Sequence, residues 1–171
     1  KHPSPRRLFK QHCQLVDGLL ASIWQHMQID ADCCLIAVGG YGRGELYPYS
    51  DIDLLILLPE ARNDDTILNQ KIESLVGLLW DVGLHVGNSV RTLNECMVEA
   101  KKDLTVQTNL MESRHLSGDI GLYQHFLAEI DSTLATSTII EKFYNSKLKE
   151  QNLRHARFND TAYNLEPNIK E

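Results

Sequence analysis

Residues 38–58 read VGGYGRGELYPYSDIDLLILL. Gly39 and Gly40 close one apolar run, CCLIAV (33–38). After ten intervening residues a second apolar run, DIDLLILL (51–58), opens with two aspartates and ends at Pro59. Both runs have the length and apolar continuity of buried strands. YGRGEL between them predicts one or two helical turns that stop near Pro48. Side chains alternate along a strand, so Asp51 and Asp53 share a face and Ile52 takes the other.

Two carboxylates held side by side repel each other, and unpaired they are costly in a partly buried strand. A divalent cation removes that cost. Mg²⁺ prefers one or two carboxylates, completed by phosphate oxygens and water. Two such ions activate an attacking hydroxyl and stabilise a leaving pyrophosphate. The glycines suit the same chemistry, because a backbone without Cβ atoms approaches a phosphate closely and a helix start offers N–H groups. Arg43 is placed to hold a phosphate by a forked contact. Ser50, just before Asp51, offers a further hydrogen bond. Gly-Gly alone, or Asp-x-Asp alone, is common in turns and surface loops. Their combination around a short helix is what carries the functional reading.

Outward from this stretch, residues 5–28 predict a helix, with Leu15, Leu19, Ile23 and Met27 as a core stripe beside Val16, Leu20 and Trp24. RNDD (62–65) supplies capping side chains for a helix over 65–81, whose apolar set is Leu68, Ile72, Leu75, Val76 and Leu79. Gly83 terminates it. LHVGNSVRT (84–92) predicts a third strand, and Thr92-Leu93-Asn94-Glu95 is a capping-box pattern opening another helix. Residues 104–116 and 119–130 read as helices split at Gly118, with Arg114 and Asp119 in an ion-pair or capping role. Residues 137–158 read as a long polar helix before an irregular tail, TAYNLEPNIKE. Trp24 and Trp80 fall on apolar helix faces and read as core. The expected fold class is α+β, a small mixed sheet flanked by helices with a helical C-terminal part.

The chain has 171 residues, 43% hydrophobic and 23% charged, as in ordinary globular domains. Its net charge of −6 weighs against a nucleic-acid polymer as substrate. No apolar run approaches the roughly 20 residues that cross a bilayer. KHPSPRRLFKQ has no apolar signal core, so no membrane and a cytoplasmic location are expected. Cys13, Cys33, Cys34 and Cys96 lack metal-ligand spacing and read as reduced, structural thiols. The seven histidines likewise show no metal-ligand spacing.

Apolar-Gly39-Gly40, ten residues, then Asp51-Ile52-Asp53-Leu54 resembles the signature of the polymerase-β-type nucleotidyltransferase superfamily. GGYGRGELYPYSDIDLLIL, LLWDVGLHVGNSVRT, DLTVQTNLMESRHLSGD and YNLEPNIKE together are similar to the nucleotidyltransferase domain of the bacterial bifunctional PII uridylyltransferase/uridylyl-removing enzymes. The resemblance implies transfer of UMP from UTP to a tyrosine of the nitrogen-regulatory protein PII, with release of pyrophosphate and Mg²⁺ or Mn²⁺ as cofactor. It implies Asp51 and Asp53 as metal ligands and catalytic residues, and Gly39 and Gly40 as the triphosphate seat. Residues 1–118 would be the catalytic core, and 119–171 a helical extension leading to downstream domains. A His-Asp doublet is absent and 171 residues leave no room for that family's HD and ACT domains, so the chain is expected to lack the removing activity and glutamine regulation. Many superfamily members add a third carboxylate from a later strand. LHVGNSVRT has none, and its polar candidates, His85 and Asn88, fall on opposite faces. Glu166, Asn168 and Lys170 read equally as site residues or as a linking loop. The alternatives are a related nucleotidyltransferase with another nucleotide or acceptor, and a non-catalytic nucleotide-binding module.

Overall fold

The computed structural model of the chain describes residues 5–44, 46–47 and 50–134. The long helix expected over 137–158 and the tail residues Glu166, Asn168 and Lys170 lie outside the described residues. Two compact units are distinguished, residues 1–130 and residues 131–171.

The elements follow the sequence order closely. Helix α1 (Pro5–His26) precedes β1 (Cys34–Ala37), the single turn α2 (Gly39–Gly42) and β2 (Ile52–Leu58). After a short 3₁₀ turn come α3 (Thr66–Asp81), β3 (Val86–Thr92), α4 (Leu93–Lys102), α5 (Leu104–Met111), β4 (Arg114–Gly118) and α6 (Ile120–Leu134). Among the described residues four strands form one sheet in the order β3-β2-β1-β4. β1 is antiparallel to both β2 and β4, while β2 and β3 are parallel. This is the mixed sheet expected of an α+β chain.

Capping follows the local chemistry. The Asp65 carboxylate accepts from the Ile67 and Leu68 N–H groups and starts α3. Thr92 and Glu95 exchange hydrogen bonds in the expected capping box at α4. Asp119 accepts from the Gly121 and Leu122 N–H groups at the start of α6.

Ile52, Leu54, Ile56 and Leu58 of β2 join Leu35 and Ala37 of β1 in a core cluster with α1 and α3. The alternate residues Cys34, Ile36, Leu55 and Leu57 are equally buried on the opposite face. Both faces of β1 and β2 are therefore covered, which is why these two strands read as unbroken apolar runs.

Three expectations are corrected. RHLSG (114–118) is strand β4, not the end of a helix, because it takes up the free edge of β1. In α1 the buried positions are Cys13, Val16, Leu20, Ile23 and Trp24, whereas Leu15 and Leu19 are exposed. The core stripe lies one residue further round the helix, on the side that faces the sheet. Trp80 is 60% exposed rather than core.

A clamp of side chains joins α1, α2 and β4. The Tyr41 hydroxyl donates to Asp17 Oδ1 at 2.6 Å. The Arg114 guanidinium donates to Asp17 Oδ2 at 2.8 Å and to the Tyr41 carbonyl at 3.2 Å. Arg114 thus has the expected structural ion-pair role. Tyr41 is fully buried, so this clamp fixes the turn that carries the glycines.

Candidate active site

The site is assembled at the start of β2, where three chain segments meet. The Val38 N–H donates to the Asp53 carbonyl at 3.0 Å, extending the β1–β2 ladder to the glycine turn. On the other side the Ile52 N–H donates to the His85 carbonyl at 2.9 Å, and Asp53 pairs with Gly87 in the parallel register. Asp53 is half-buried and Asp51 exposed.

The Asp53 carboxylate stands between two glycines. A Cβ at Gly39, which has φ +60°, would lie 3.6 Å from Asp53 Oδ2 and 3.5 Å from Asn109 Oδ1 of α5. A Cβ at Gly87 would lie 2.7 Å from Asp53 Oδ1, a clash any side chain there would have to relieve. Gly39 is needed for its left-handed backbone, and Gly87 for the room it leaves the carboxylate. Burial, and then the Asp51 carboxylate, push the Asp53 pKa above its ordinary value.

Asp51 and Asp53 line an open cavity of about 480 Å³ with Trp80, His85 and Gly87. The register that pairs Ile52 with Val86 and Asp53 with Gly87 puts His85 on the aspartates' face and Asn88 on the opposite one. Among the described residues no group of three or more His, Cys, Asp or Glu side chains forms a metal cage. The donor set is two carboxylates. It fits a hard divalent cation that takes its remaining ligands from water and phosphate.

The other expected site residues are distributed differently. Gly40 follows Gly39 in α2. The Ser50 N–H donates to the Tyr47 carbonyl at 3.1 Å, just ahead of Asp51. Arg43 follows α2, pairs with Glu112 and lines a second cavity, of about 980 Å³, with Phe9, Lys10, Tyr47 and Arg114. Among the described residues the two cavities share no lining residue. Asn109 and Trp80 were missed from sequence. An asparagine inside an amphipathic helix gives no signal of its own, and a tryptophan on an apolar face reads as core.

A carboxylate pair at the start of β2, beside a glycine turn, is an arrangement suited to phosphate chemistry. Residues 20–115 match the model of the nucleotidyltransferase domain, and the chain belongs to that family. Residues 142–171 match the model described as GlnD PII-uridylyltransferase. The chain is 48% identical over 168 residues to the bifunctional uridylyltransferase/uridylyl-removing enzyme of Nitrosospira multiformis, covering 96% of this chain and 18% of that protein. It is 52% identical over 167 residues to the enzyme of the same name from Pseudomonas fluorescens, covering 96% of this chain and 18% of that protein. The Ralstonia nicotianae counterpart is 44% identical over 171 residues, covering 100% and 19%. The chain therefore spans about a fifth of the length of these curated relatives.

Proposed function

We propose that this chain is a uridylyltransferase domain that moves UMP from UTP to a tyrosine hydroxyl of a PII-type regulatory protein. The observation that carries the reading is the Asp53 carboxylate set between Gly39 and Gly87, with Asp51 on the same face. The names of the relatives, and the match over residues 142–171, favour uridylyl transfer over other nucleotidyl transfers.

In this reading the tyrosine oxygen forms a bond to the α-phosphorus of UTP. The bond from that phosphorus to the bridging oxygen breaks, and pyrophosphate leaves with the electron pair. The phenolic proton is released. Asp51 and Asp53 would hold Mg²⁺ or Mn²⁺, which when bound neutralises charge developing on the phosphate oxygens. The chain's own part is to position reactants: Gly39 and Gly40 admit the triphosphate to the backbone, and Ser50, next to Asp51 in the chain, offers a further hydrogen bond. Phosphoryl transfer needs little covalent help beyond such placement and charge neutralisation. Arg43, paired with Glu112, would have to leave that partner to hold a phosphate.

The test incubates the chain with Mg²⁺, PII protein and α-labelled UTP, beside Asp51→Asn and Asp53→Asn. Label on PII with the unaltered chain alone supports the reading. Transfer with ATP or CTP in place of UTP would point to a related nucleotidyltransferase, and undiminished labelling by both variants would remove the carboxylates from the mechanism.

A further inference from the structure

Trp80 is 60% exposed although α3 buries Leu68, Ile72, Leu75 and Leu79. Its ring is nevertheless held: the indole N–H donates to the Val86 carbonyl at 3.4 Å, at the first residue of β3. Val86 precedes Gly87, the partner of Asp53 in the sheet. The indole lines the same cavity as Asp51, Asp53 and His85. An indole left in water forgoes a large burial gain, and a flat face fixed beside the carboxylates suits a stacking partner.

The strand order indicates which partner. β1, leading into Gly39, lies on one side of β2, and β3 with Gly87 on the other. The two oxygens of Asp53 divide accordingly, Oδ2 towards Gly39 and Oδ1 towards Gly87. Phosphoryl transfer proceeds roughly in line, with attacking and leaving oxygens on opposite sides of the phosphorus. With the triphosphate seated on the Gly39 side, pyrophosphate departs towards β1 and the nucleophile arrives from β3. Trp80 and His85 stand on the nucleophile's side.

We propose that the exposed face of Trp80 is the acceptor subsite: it stacks the ring of the tyrosine that is modified, and does not stack the uracil. This rests on the uridylyltransferase reading of the site. Trp80→Phe keeps a flat ring but loses the bond to Val86, whereas Trp80→Ala removes the ring.

Initial rates are measured with PII and UTP varied separately. The expected result is a KM for PII raised about tenfold in Trp80→Ala, a KM for UTP changed less than twofold, and near-normal values in Trp80→Phe. A raised KM for UTP would overturn the proposal in favour of a base platform. No change in either KM would also overturn it. Loss in both variants alike would assign Trp80 to anchoring β3 and overturn it as well. If the unaltered chain fails to label PII, the uridylyltransferase reading itself fails, and a binding measurement then decides the subsite. The Trp80 indole N–H resonance, identified by its loss in Trp80→Phe, is titrated with N-acetyltyrosinamide and with uridine. A shift with the tyrosine amide alone keeps the aromatic subsite; a shift with uridine, or with neither, removes it.

Discussion

Asp53 illustrates a conflict between stability and activity within one side chain. Its pKa is raised by burial and by Asp51, so its charge is unfavourable to the metal-free fold. A raised carboxylate pKa costs the fold its stability as pH rises through the folded value. Below the unfolded value, near 3.8, nothing is lost. Asp53→Asn is therefore expected to raise Tm at pH 7 without metal. That gain should vanish at acid pH, and transfer should fall by about 10³-fold or more. Calorimetry across pH, with the labelling assay, checks both halves. Gly87→Ala should lower transfer without the gain in stability. Its new methyl would press on Asp53 Oδ1, lowering transfer at least about tenfold while thermal unfolding stays near normal. The aspartates were legible in the sequence because carboxylates inside an apolar run violate the pattern of a buried strand. Gly87 gave no such signal; its importance depends on register, which alternation within one strand does not supply.

At the scale of elements, the sequence was clearest where burial is two-sided or a cap is specific. β1 and β2 were readable as continuous apolar runs, and the Thr92–Glu95 box as a helix start. β4 was not. RHLSG has one strongly apolar residue, no alternation and only partial burial, so it becomes a strand by completing the edge of β1 rather than by propensity. Trp80 and Leu15 were misplaced for a related reason. A periodic stripe tells which residues are apolar, but the neighbouring layer decides which of them are covered. The clamp of Asp17, Tyr41 and Arg114 was equally invisible, since its members are 97 residues apart at the extremes. Arg114→Met leaves Asp17 and the Tyr41 carbonyl without their cationic partner. Its expected cost is about 2 kcal/mol in urea unfolding, with a further fall in transfer as the glycine turn loosens. Arg114→Lys should restore less than half, because one ammonium cannot serve Asp17 and the Tyr41 carbonyl in a fork.

For the whole molecule, all four cysteines are buried and unpaired. Burial pushes the Cys33, Cys34 and Cys96 thiols up to about 12. A thiol reagent at pH 8 should leave the native chain unlabelled and modify all four positions in urea. Thiolates form first in the unfolded chain, so stability should hold below about pH 9 and decline from there towards pH 12. Urea midpoints at pH 7.5 and 10.5 measure that loss. Among the described residues no helix is long and apolar enough to cross a membrane. The strand order β3-β2-β1-β4 has a consequence for synthesis. β1 ends at Ala37, but its outer neighbour begins only at Arg114. At ribosomal speeds of about 5–20 residues per second, those 76 intervening residues keep the β1 edge waiting for roughly 4–15 s. During that interval the nascent chain carries both aspartates and both glycines of the turn, yet has an open β edge able to pair with a neighbour. Among the described residues, the last strand to emerge is the one that closes it.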